Sequence, residues 1–264
     1  MNNPRIPITD EQKRQFVNEG YIILPSVISP QDLENLRLEC DRFVDLIHEE
    51  MDRAGTDTFG ITHRNKRYFL KDTASRSEKI ANFVLGDLMA DVCRATIGGE
   101  AFFFLDQYVL KAADVGMKFA WHQDSGYIGY PHCEYLTCWC ALDDVDEANG
   151  TVYVMPYSEA GGGEYVVHKK EAGSNDMVGY FGDKSGIPAV IPAGSMVVFS
   201  SHTFHRSGPN NTSRMRRAFI AQYTKEPLYD ADGRHLWHRA ERFLEGGKKV
   251  WDGSFGSPKA KTNG

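Results

Sequence analysis

The sequence predicts a mainly β protein in which helices flank a sandwich or jelly-roll core. Helical periodicity dominates the first hundred residues, and short runs with β-type patterning replace it from about residue 101. Turn-rich pieces, such as EANG at 147–150 and FGDKSG at 181–186, separate these runs, and no helical pattern lies between them. This spacing favours a sandwich or barrel over a parallel sheet.

The chain is expected to form one domain over residues 1–264, because no internal repeat or low-complexity linker divides it. A helical part covers about 1–100 and the β core covers about 101–225. A C-terminal extension, 226–264, follows the core.

Capping signals define the first predicted elements. Thr9 and Gln12 resemble a capping box in front of a helical segment, and Gly20 is a natural stop for that helix. The run YIILP at 21–25 is short and apolar, which predicts a strand between this helix and the next.

Two longer helical segments follow. Ser29 and Pro30 supply an N-cap and a proline at the first helical position. Apolar residues then recur at helical spacing over 33–51, and a second amphipathic pattern covers roughly Ser77 to Ile97. Apolar faces of this kind are expected to buttress the β core.

Six β-type runs predict the strands of the core. They are AFFFLDQYVL, EYLTCWCAL, GTVYVMP, EYVVH, AVIPAGSMVVFS and RAFIAQY. Within the second run, Cys138 and Cys140 alternate on one face of the strand. No further Cys/His pair accompanies them, so we interpret both as structural thiols rather than metal ligands.

Composition excludes several classes of protein and partner. With 41% apolar, 12% aromatic and 25% charged residues, the 264-residue chain is neither disordered nor fibrous. Thirty basic and 36 acidic residues give a net charge of −6, which disfavours nucleic acid and anionic membranes as partners. An odd number of cysteines, five, without a signal-like or membrane-spanning segment, predicts reduced thiols in the cytoplasm.

The pattern His-x-Asp/Glu can supply two metal ligands from one segment. Three such triplets occur: His48/Glu50, His122/Asp124 and His132/Glu134. The first lies in a predicted helix, where positions two apart point away from each other. In an extended chain the same spacing puts both side chains on one face, which favours the other two. His122 and Asp124 stand where a strand runs into a glycine loop, and we prefer them to the third pair.

A third ligand is expected from a distant strand. The segment 197–223 contains His202 and His205, and the residue types alone leave both open.

Three motifs together resemble the phytanoyl-CoA dioxygenase family of iron(II)/2-oxoglutarate oxygenases. They are WHQD at 121–124, Asn149–Gly150 and HRSGPNNTSRMRRA at 205–218. The family pattern is His-x-Asp, a distal His in His-x-Ser-Gly-x-Asn, and an Arg eleven residues after that His. These positions fall on His122, Asp124, His205 and Arg216, and the matching Ser207, Gly208 and Asn210 favour His205 over His202. The resemblance covers about residues 10–225.

The resemblance implies a cupin-like double-stranded β-helix, also called a jelly roll, and a specific set of cofactors. Iron(II) would be held by His122, Asp124 and His205, with 2-oxoglutarate and O₂ as cosubstrates. The 2-oxoglutarate site would consist of Arg216, Ser207, Trp139 and Gln107, with Lys111 as a weaker candidate. Tyr127, Tyr130 and the stretch RHLWHRAERF at 234–243 are candidates for substrate contacts at the mouth, although aromatic residues there can also simply pack.

The implied reaction is the oxidation of a small organic metabolite with release of succinate and CO₂. Hydroxylation is favoured over halogenation, because related halogenases lack the carboxylate that Asp124 supplies here. The loop MPYSEAGG at 155–162 departs from the Pro-Gly-Ser-His that is usual in the family, and this departure affects the substrate mouth rather than the metal centre.

Other functions remain open at this point. A cupin-like isomerase or hydrolase using zinc or manganese would keep the three ligands but would not need Arg216 with Ser207. An inactive binding module is expected to have lost a ligand, and none is lost here. Demethylation of nucleic acid is disfavoured by the acidic balance of charge.

Overall fold

A computed structural model describes residues 8–113, 118–130, 132–171 and 176–255. The helices are α1 (Asp10–Glu19), α2 (Pro30–Ala54), α3 (Glu78–Val84), α4 (Asp87–Thr96) and α5 (Tyr157–Ala160), with 3₁₀ turns at Ala74–Arg76 and Asp124–Tyr127. The strands are β1 (Tyr21–Leu24), β2 (Thr58–Phe59), β3 (Thr62–His63), β4 (Arg67–Lys71), β5 (Ala101–Lys111), β6 (Phe119–His122), β7 (Leu136–Ala141), β8 (Val152–Val154), β9 (Lys169–Lys170), β10 (Met177–Val178), β11 (Ile187–Pro188), β12 (Met196–Ser200), β13 (His205–Ser207), β14 (Arg216–Thr224), β15 (Glu241–Glu245) and β16 (Lys248–Lys249).

Two antiparallel sheets form the core. The major sheet has the strand order β1-β12-β7-β14-β5-β4-β3-β2, and β15 extends it by pairing with β5. The minor sheet has the order β11-β8-β13-β6. Trp139 and Ala218 of the major sheet pack in one apolar cluster with Val152 and Val154 of the minor sheet. The two sheets therefore face each other, and the predicted sandwich with flanking helices is confirmed.

Alternation along β7 separates the two faces of the major sheet. Cys138 and Cys140 face the large apolar cluster built with the helices, whereas Trp139 and Ala141 face the minor sheet. All four side chains are buried. Both cysteines are free thiols, as the sequence predicts, and burial raises the pKa of each well above its ordinary value.

The helix layer covers the outer face of the major sheet. Leu36 and Phe43 of α2, Ile80 of α3 and Met89 of α4 lie in the same cluster as Phe219 of β14. Each such side chain contributes roughly 1.5–3 kcal/mol when it is fully buried. The helices thus fix the major sheet from one side and leave its other face to the minor sheet.

The predicted starts of α1 and α2 are confirmed. The Gln12 amide donates to Thr9 Oγ1 over 3.1 Å, and the Thr9 amide donates to Gln12 Oε1 over 2.9 Å, which completes the capping box. Gly20 ends α1 with φ +78°. Ser29 Oγ accepts from the Asp32 amide over 3.0 Å at the start of α2.

The helix predicted over Ser77 to Ile97 is wrong as a single element. It consists of α3 and α4, which are separated at Leu85 and Gly86. A Cβ at Gly86 would lie 2.5 Å from the Asn82 carbonyl oxygen, so the close approach of the two helices requires glycine. The hydrophobic period continues across this break, which is why the sequence pattern conceals it.

Two strand assignments also differ from the prediction. The first hundred residues contain β4, which pairs with β5 inside the major sheet. The run EYVVH at 164–168 is irregular, because the Gln123 side chain forms hydrogen bonds with its backbone. Val166 N donates to Gln123 Oε1, and Gln123 Nε2 donates to the Glu164 carbonyl.

Among the described residues, no helix is long and apolar enough to cross a membrane.

Candidate active site

Two histidines meet on adjacent strands of the minor sheet. His122 is the last residue of β6 and His205 is the first residue of β13, and the two are directly paired. Their ring centroids are 4.2 Å apart. Asp124 follows two residues later, at the start of a 3₁₀ turn rather than in the extended chain that its spacing predicts. One ligand atom from each of the three residues lies within 4.8 Å of the other two.

Backbone carbonyls orient both imidazole rings. Nδ1 of His122 lies 2.8 Å from the Ala120 carbonyl oxygen, and Nδ1 of His205 lies 3.1 Å from that of Thr203. A carbonyl oxygen only accepts, so each Nδ1 carries the proton and donates. In the neutral imidazole this leaves the lone pair on Nε2, and His205 Nε2 lies 3.5 Å from Asp124 Oδ1. This is the orientation that a metal-ligating histidine needs.

One carboxylate oxygen of Asp124 is held by neighbouring side chains. Oδ2 accepts from Thr137 Oγ1 over 2.6 Å and from Gln222 Nε2 over 3.0 Å. Gln222 Nε2 also lies 3.0 Å from Thr137 Oγ1. Oδ1 is left facing His205. Sequence reasoning did not assign Thr137 a role, and its only signal was its position in a strand beside Trp139.

Burial sets the charges of the three residues. Desolvation lowers the pKa of His122, and the neighbouring His205 lowers it further, so His122 is neutral near pH 7. For Asp124, burial opposes ionisation, but His205, His122 and the hydroxyl of Thr137 together hold its pKa below the ordinary value. Two imidazoles and one carboxylate on one side of a point are the donor set of non-haem iron(II) oxygenases.

The other histidines considered have different partners. His202 Nδ1 lies 3.0 Å from the Gly163 carbonyl oxygen, and His132 Nε2 lies 3.1 Å from Ser125 Oγ. His48 lies in α2 and contacts the hydroxyl of Tyr68 over 2.8 Å. Among the described residues, only His122, Asp124 and His205 form a cluster of this kind.

Arg216 lies on the major sheet with one unused buried donor. It begins β14 directly opposite Lys111 on β5 and is 2% exposed. Nη1 donates to the Val109 carbonyl over 3.1 Å, whereas Nε has no hydrogen-bond partner in the described part of the chain. The guanidinium carbon lies 5.6 Å from the centre of the Trp139 ring. Burial lowers the pKa of Arg216 to about 10, which still leaves it charged at pH 7.

Lys111 is a buried amine beside Arg216. Its Nζ donates to Ser207 Oγ over 2.8 Å and also to the Gly208 carbonyl. Burial, followed by repulsion from Arg216 and Arg67, lowers the pKa of Lys111 to about 6. Two adjacent cations at this depth are costly unless an anion joins them. The unpartnered Arg216 Nε and the lowered pKa of Lys111 therefore fit a site for a carboxylate. From the sequence, Lys111 was only a weaker candidate for this site.

A cavity of about 400 Å³ connects the cluster of His122, Asp124 and His205 with Arg216. Its lining includes the three clustered residues together with Gln107, Tyr127, Trp139, Ser207 and Arg216. Gln107 Oε1 is buried without a hydrogen-bond partner among the described residues. The Tyr127 ring stands edge-on to His122, with centroids 5.5 Å apart.

Tyr130 is not among the residues that line this cavity, and its contact with substrate at the mouth stays a prediction. Its ring packs behind Trp237, with centroids 6.2 Å apart, and its hydroxyl donates to the Tyr229 carbonyl.

Comparison with known proteins identifies the family. Residues 16–218 match the model of the phytanoyl-CoA dioxygenase family. The chain belongs to this family. A curated relative is the ectoine dioxygenase of Stutzerimonas stutzeri, 27% identical over an alignment of 248 residues that covers 82% of this chain and 77% of the relative. The predicted class is thereby confirmed: the chain is a dioxygenase that depends on iron and 2-oxoglutarate.

Solved structures share the fold of this chain. The non-haem monooxygenase ThoJ superposes with a TM-score of 0.67 at 18% identity, covering 89% of this chain and 84% of ThoJ. EctD from S. alaskensis, solved with 2-oxoglutarate and 5-hydroxyectoine, superposes with a TM-score of 0.63 at 19% identity, covering 90% of this chain and 81% of EctD. The predicted cupin-like jelly-roll is confirmed by these likenesses.

Proposed function

We propose that His122, Asp124 and His205 bind one iron(II) ion and that the enzyme hydroxylates a C–H bond of a small organic metabolite. The observation that carries this proposal is the convergence of two oriented Nε2 atoms and one carboxylate oxygen at a buried point. Iron(II) held in this way keeps open positions for a 2-oxo acid and O₂, whose reaction releases succinate and CO₂.

The 2-oxoglutarate carboxylate remote from the metal is assigned to Arg216, Lys111 and Ser207. A guanidinium offers a planar fork for a carboxylate, and the unpartnered Nε of Arg216 supports this role. Lys111 donates to Ser207, so an arriving carboxylate would meet an amino group and a hydroxyl already joined. Trp139 and Gln107, which line the cavity, are assigned to the walls of the cosubstrate site.

Other residues of the chain keep this chemistry ordered. Thr137 and Gln222 hold Asp124 in one orientation, and the carbonyls of Ala120 and Thr203 hold the two imidazoles. Apolar side chains such as Val109, Phe199 and Ile220 line the cavity between the two groups and exclude water from it. Tyr127, next to His122, is assigned to the substrate side.

The substrate is proposed to be a small molecule rather than nucleic acid, supported by the net charge of −6. Relatives include an ectoine dioxygenase and a methylphosphonate hydroxylase, both of which are named for small substrates. A cytoplasmic location stays a prediction, which the five free cysteines support.

A non-redox, cupin-like metal enzyme is the alternative, and it has no use for a buried arginine and lysine side by side next to the cavity. The deciding experiment measures succinate formation from 2-oxoglutarate in wild-type, Arg216→Ala and Arg214→Ala proteins. Arg214 is exposed and serves as the matched control.

For Arg216→Ala we expect the apparent affinity for 2-oxoglutarate to fall by roughly two orders of magnitude, since a buried charge-assisted pair is worth a few kcal/mol. Arg216→Lys should recover part of the loss, because an ammonium lacks the fork. If Arg216→Ala behaves like the Arg214→Ala control, the cosubstrate site is misplaced.

A further inference from the structure

A β-bulge turns Phe104 into the cavity. In the pairing of β5 with β14, Leu105 faces Gln222 and Phe103 faces Tyr223, so Phe104 has no partner on β14. An extra residue in one strand re-aims the side chains around it. As a result, the consecutive residues Phe104 and Leu105 both line the cavity, whereas Phe103 packs on the helix side of the sheet.

The C-terminal segment supplies a second part of the same surface. Trp237 and His238 line the cavity, although they lie beyond the residues that match the family model, which end at 218. An antiparallel bridge between Tyr229 and Leu236 brings the segment back on itself, and the Trp237 amide donates to the Leu228 carbonyl over 2.8 Å. This turn presents two rings to the cavity.

Asp72, next to the end of β4, fixes the position of the segment. Its Oδ1 lies 2.9 Å from Arg239 Nη2 and 3.4 Å from His238 Nε2. The His238 ring also meets the Phe104 ring edge-on, with centroids 6.0 Å apart. The two rings of the C-terminal segment are thus anchored to the major sheet.

Together these residues form a continuous surface, which we call the aromatic wall. It comprises Phe104, Leu105, Ile128, Tyr135, Trp237 and His238. Phe104 and Tyr135 pack with ring centroids 5.2 Å apart. The charged side chains that line the cavity are outside this set: Lys71, Asp124, Asp176, Arg206 and Arg216. The wall therefore offers ring faces and apolar contacts, with one imidazole.

The register of β5 places the wall at the substrate end. Leu105 pairs with Gln222, and Gln222 donates a hydrogen bond to Asp124. Leu105 therefore marks the point along β5 that lies beside the metal site. Lys111, opposite Arg216, lies six residues further along β5, on the side of Leu105 away from Phe104. A 2-oxoglutarate whose far carboxylate sits at Arg216 extends away from the wall and leaves it free for the substrate.

We propose that the aromatic wall selects substrates with a cyclic apolar body and holds that body beside the metal site. Aromatic rings favour stacked and edge-on contacts with a flat partner, and the wall presents such rings from three separate segments. This inference rests on the proposed function for the location of iron and 2-oxoglutarate. It adds Trp237 as one of the residues that determine specificity.

The test uses 2-naphthol, a fused-ring alcohol, as the probe. Its binding is measured by calorimetry on full-length protein loaded with zinc(II) and 2-oxoglutarate, because zinc accepts the same donor types and gives no turnover. Trp237→Ala and Trp237→Phe are compared with Trp251→Ala. Trp251 is a matched control, since it lies in the same C-terminal region but packs on Phe255 outside the cavity.

Wild-type protein and Trp251→Ala should bind the probe equally, Trp237→Ala should bind it at least tenfold more weakly, and Trp237→Phe should lie between. Absence of 2-naphthol binding to the wild type, or equal binding by Trp237→Ala, would overturn the proposal. Succinate formation by wild-type and His205→Ala proteins is measured in parallel. Succinate formation that persists in His205→Ala would refute the proposed metal site. The binding of 2-naphthol separately tests the role of the aromatic wall.

Discussion

Asp124 presents one oxygen to the centre of the site and hydrogen-bonds two neighbours with the other. Thr137 and Gln222 converge on Oδ2, so Oδ1 keeps a single direction. Hydrogen bonds of this kind to a ligand are commonly worth 10–100-fold in metal affinity. Thr137 and Gln222 should therefore affect metal affinity although neither is a ligand.

Replacing Thr137 by Val should therefore weaken iron(II) binding by about tenfold or more. The substitution conserves shape and removes only the hydroxyl that donates to Asp124. Thr224→Val is the matched control, because Thr224 is also a buried threonine of the major sheet and its Oγ1 has no hydrogen-bond partner among the described residues. Metal titration of the two variants decides the matter, and equal affinities would contradict the role given to Thr137.

Lys111 makes the binding of 2-oxoglutarate dependent on pH. Its pKa is lowered to about 6 by burial, so above pH 6 the empty site holds a neutral amine. A carboxylate placed beside it raises this pKa, so binding takes up a proton above pH 6. The affinity for 2-oxoglutarate should accordingly fall as pH rises from 6 towards 9, by up to tenfold per pH unit, and should be nearly flat in Lys111→Met.

The lowered pKa of Lys111 also makes the free energy of unfolding depend on pH. Between about pH 6 and about pH 10.4 the unfolded chain binds a proton at Lys111 that the folded chain does not. Stability should then rise with pH through this window, and Lys111→Met should remove that slope. Denaturant unfolding at several pH values measures it, and an unchanged slope in the variant would show that Lys111 is not the titrating group.

At the scale of elements, the loop at Asn149–Gly150 packs against the loop that follows β13. Gly150 has φ +82°, and a Cβ there would lie 2.7 Å from the Gly208 carbonyl oxygen and 2.9 Å from that of Pro209. The Gly208 carbonyl also accepts from Lys111. Two motifs that are far apart in the sequence are therefore in contact behind the proposed cosubstrate site.

Gly150→Ala should destabilise the protein by about 2 kcal/mol or more, because it adds a backbone clash to the cost of a left-handed conformation. Gly161→Ala is the matched control: Gly161 has φ +86° with nothing within 4 Å of the added atom among the described residues, so it reports the conformational cost alone. Unfolding free energies of the two variants give the difference. Equal losses would mean that the loop contact is loose.

The sequence predicts best which side chains of a strand share one face. Arg216 and Gln222 alternate on one face of β14 and line the cavity, and Trp139 does the same on β7, as the period of two requires. The strand β4 was missed because Arg67 and Lys71, its end residues, carry charge, and Arg67 is buried against Asp176 by an ion pair that no local pattern reveals. Local patterns therefore predict the faces of strands better than they predict buried charges.

At the scale of the whole molecule, the site exists only because two sheets face each other. His122 and His205 come from the minor sheet, whereas Arg216 and Lys111 come from the major sheet. Family motifs allowed the sequence to identify most of this set before the fold was known. The aromatic wall was predicted only in part: the stretch 234–243, which contains Trp237 and His238, was a candidate for the mouth of the site. Phe104 was missed, because it faces the cavity through a bulge that no local pattern reveals.

The central claim is that His205, and not the nearby His202, completes a metal site that binds 2-oxoglutarate. Its most direct test is an anaerobic titration of 2-oxoglutarate into iron(II)-loaded protein, followed by the visible charge-transfer absorption of a chelated 2-oxo acid. Wild-type protein and His202→Ala should both give a saturable band, and His205→Ala should give none. A band that persists in His205→Ala and disappears in His202→Ala would contradict the assignment.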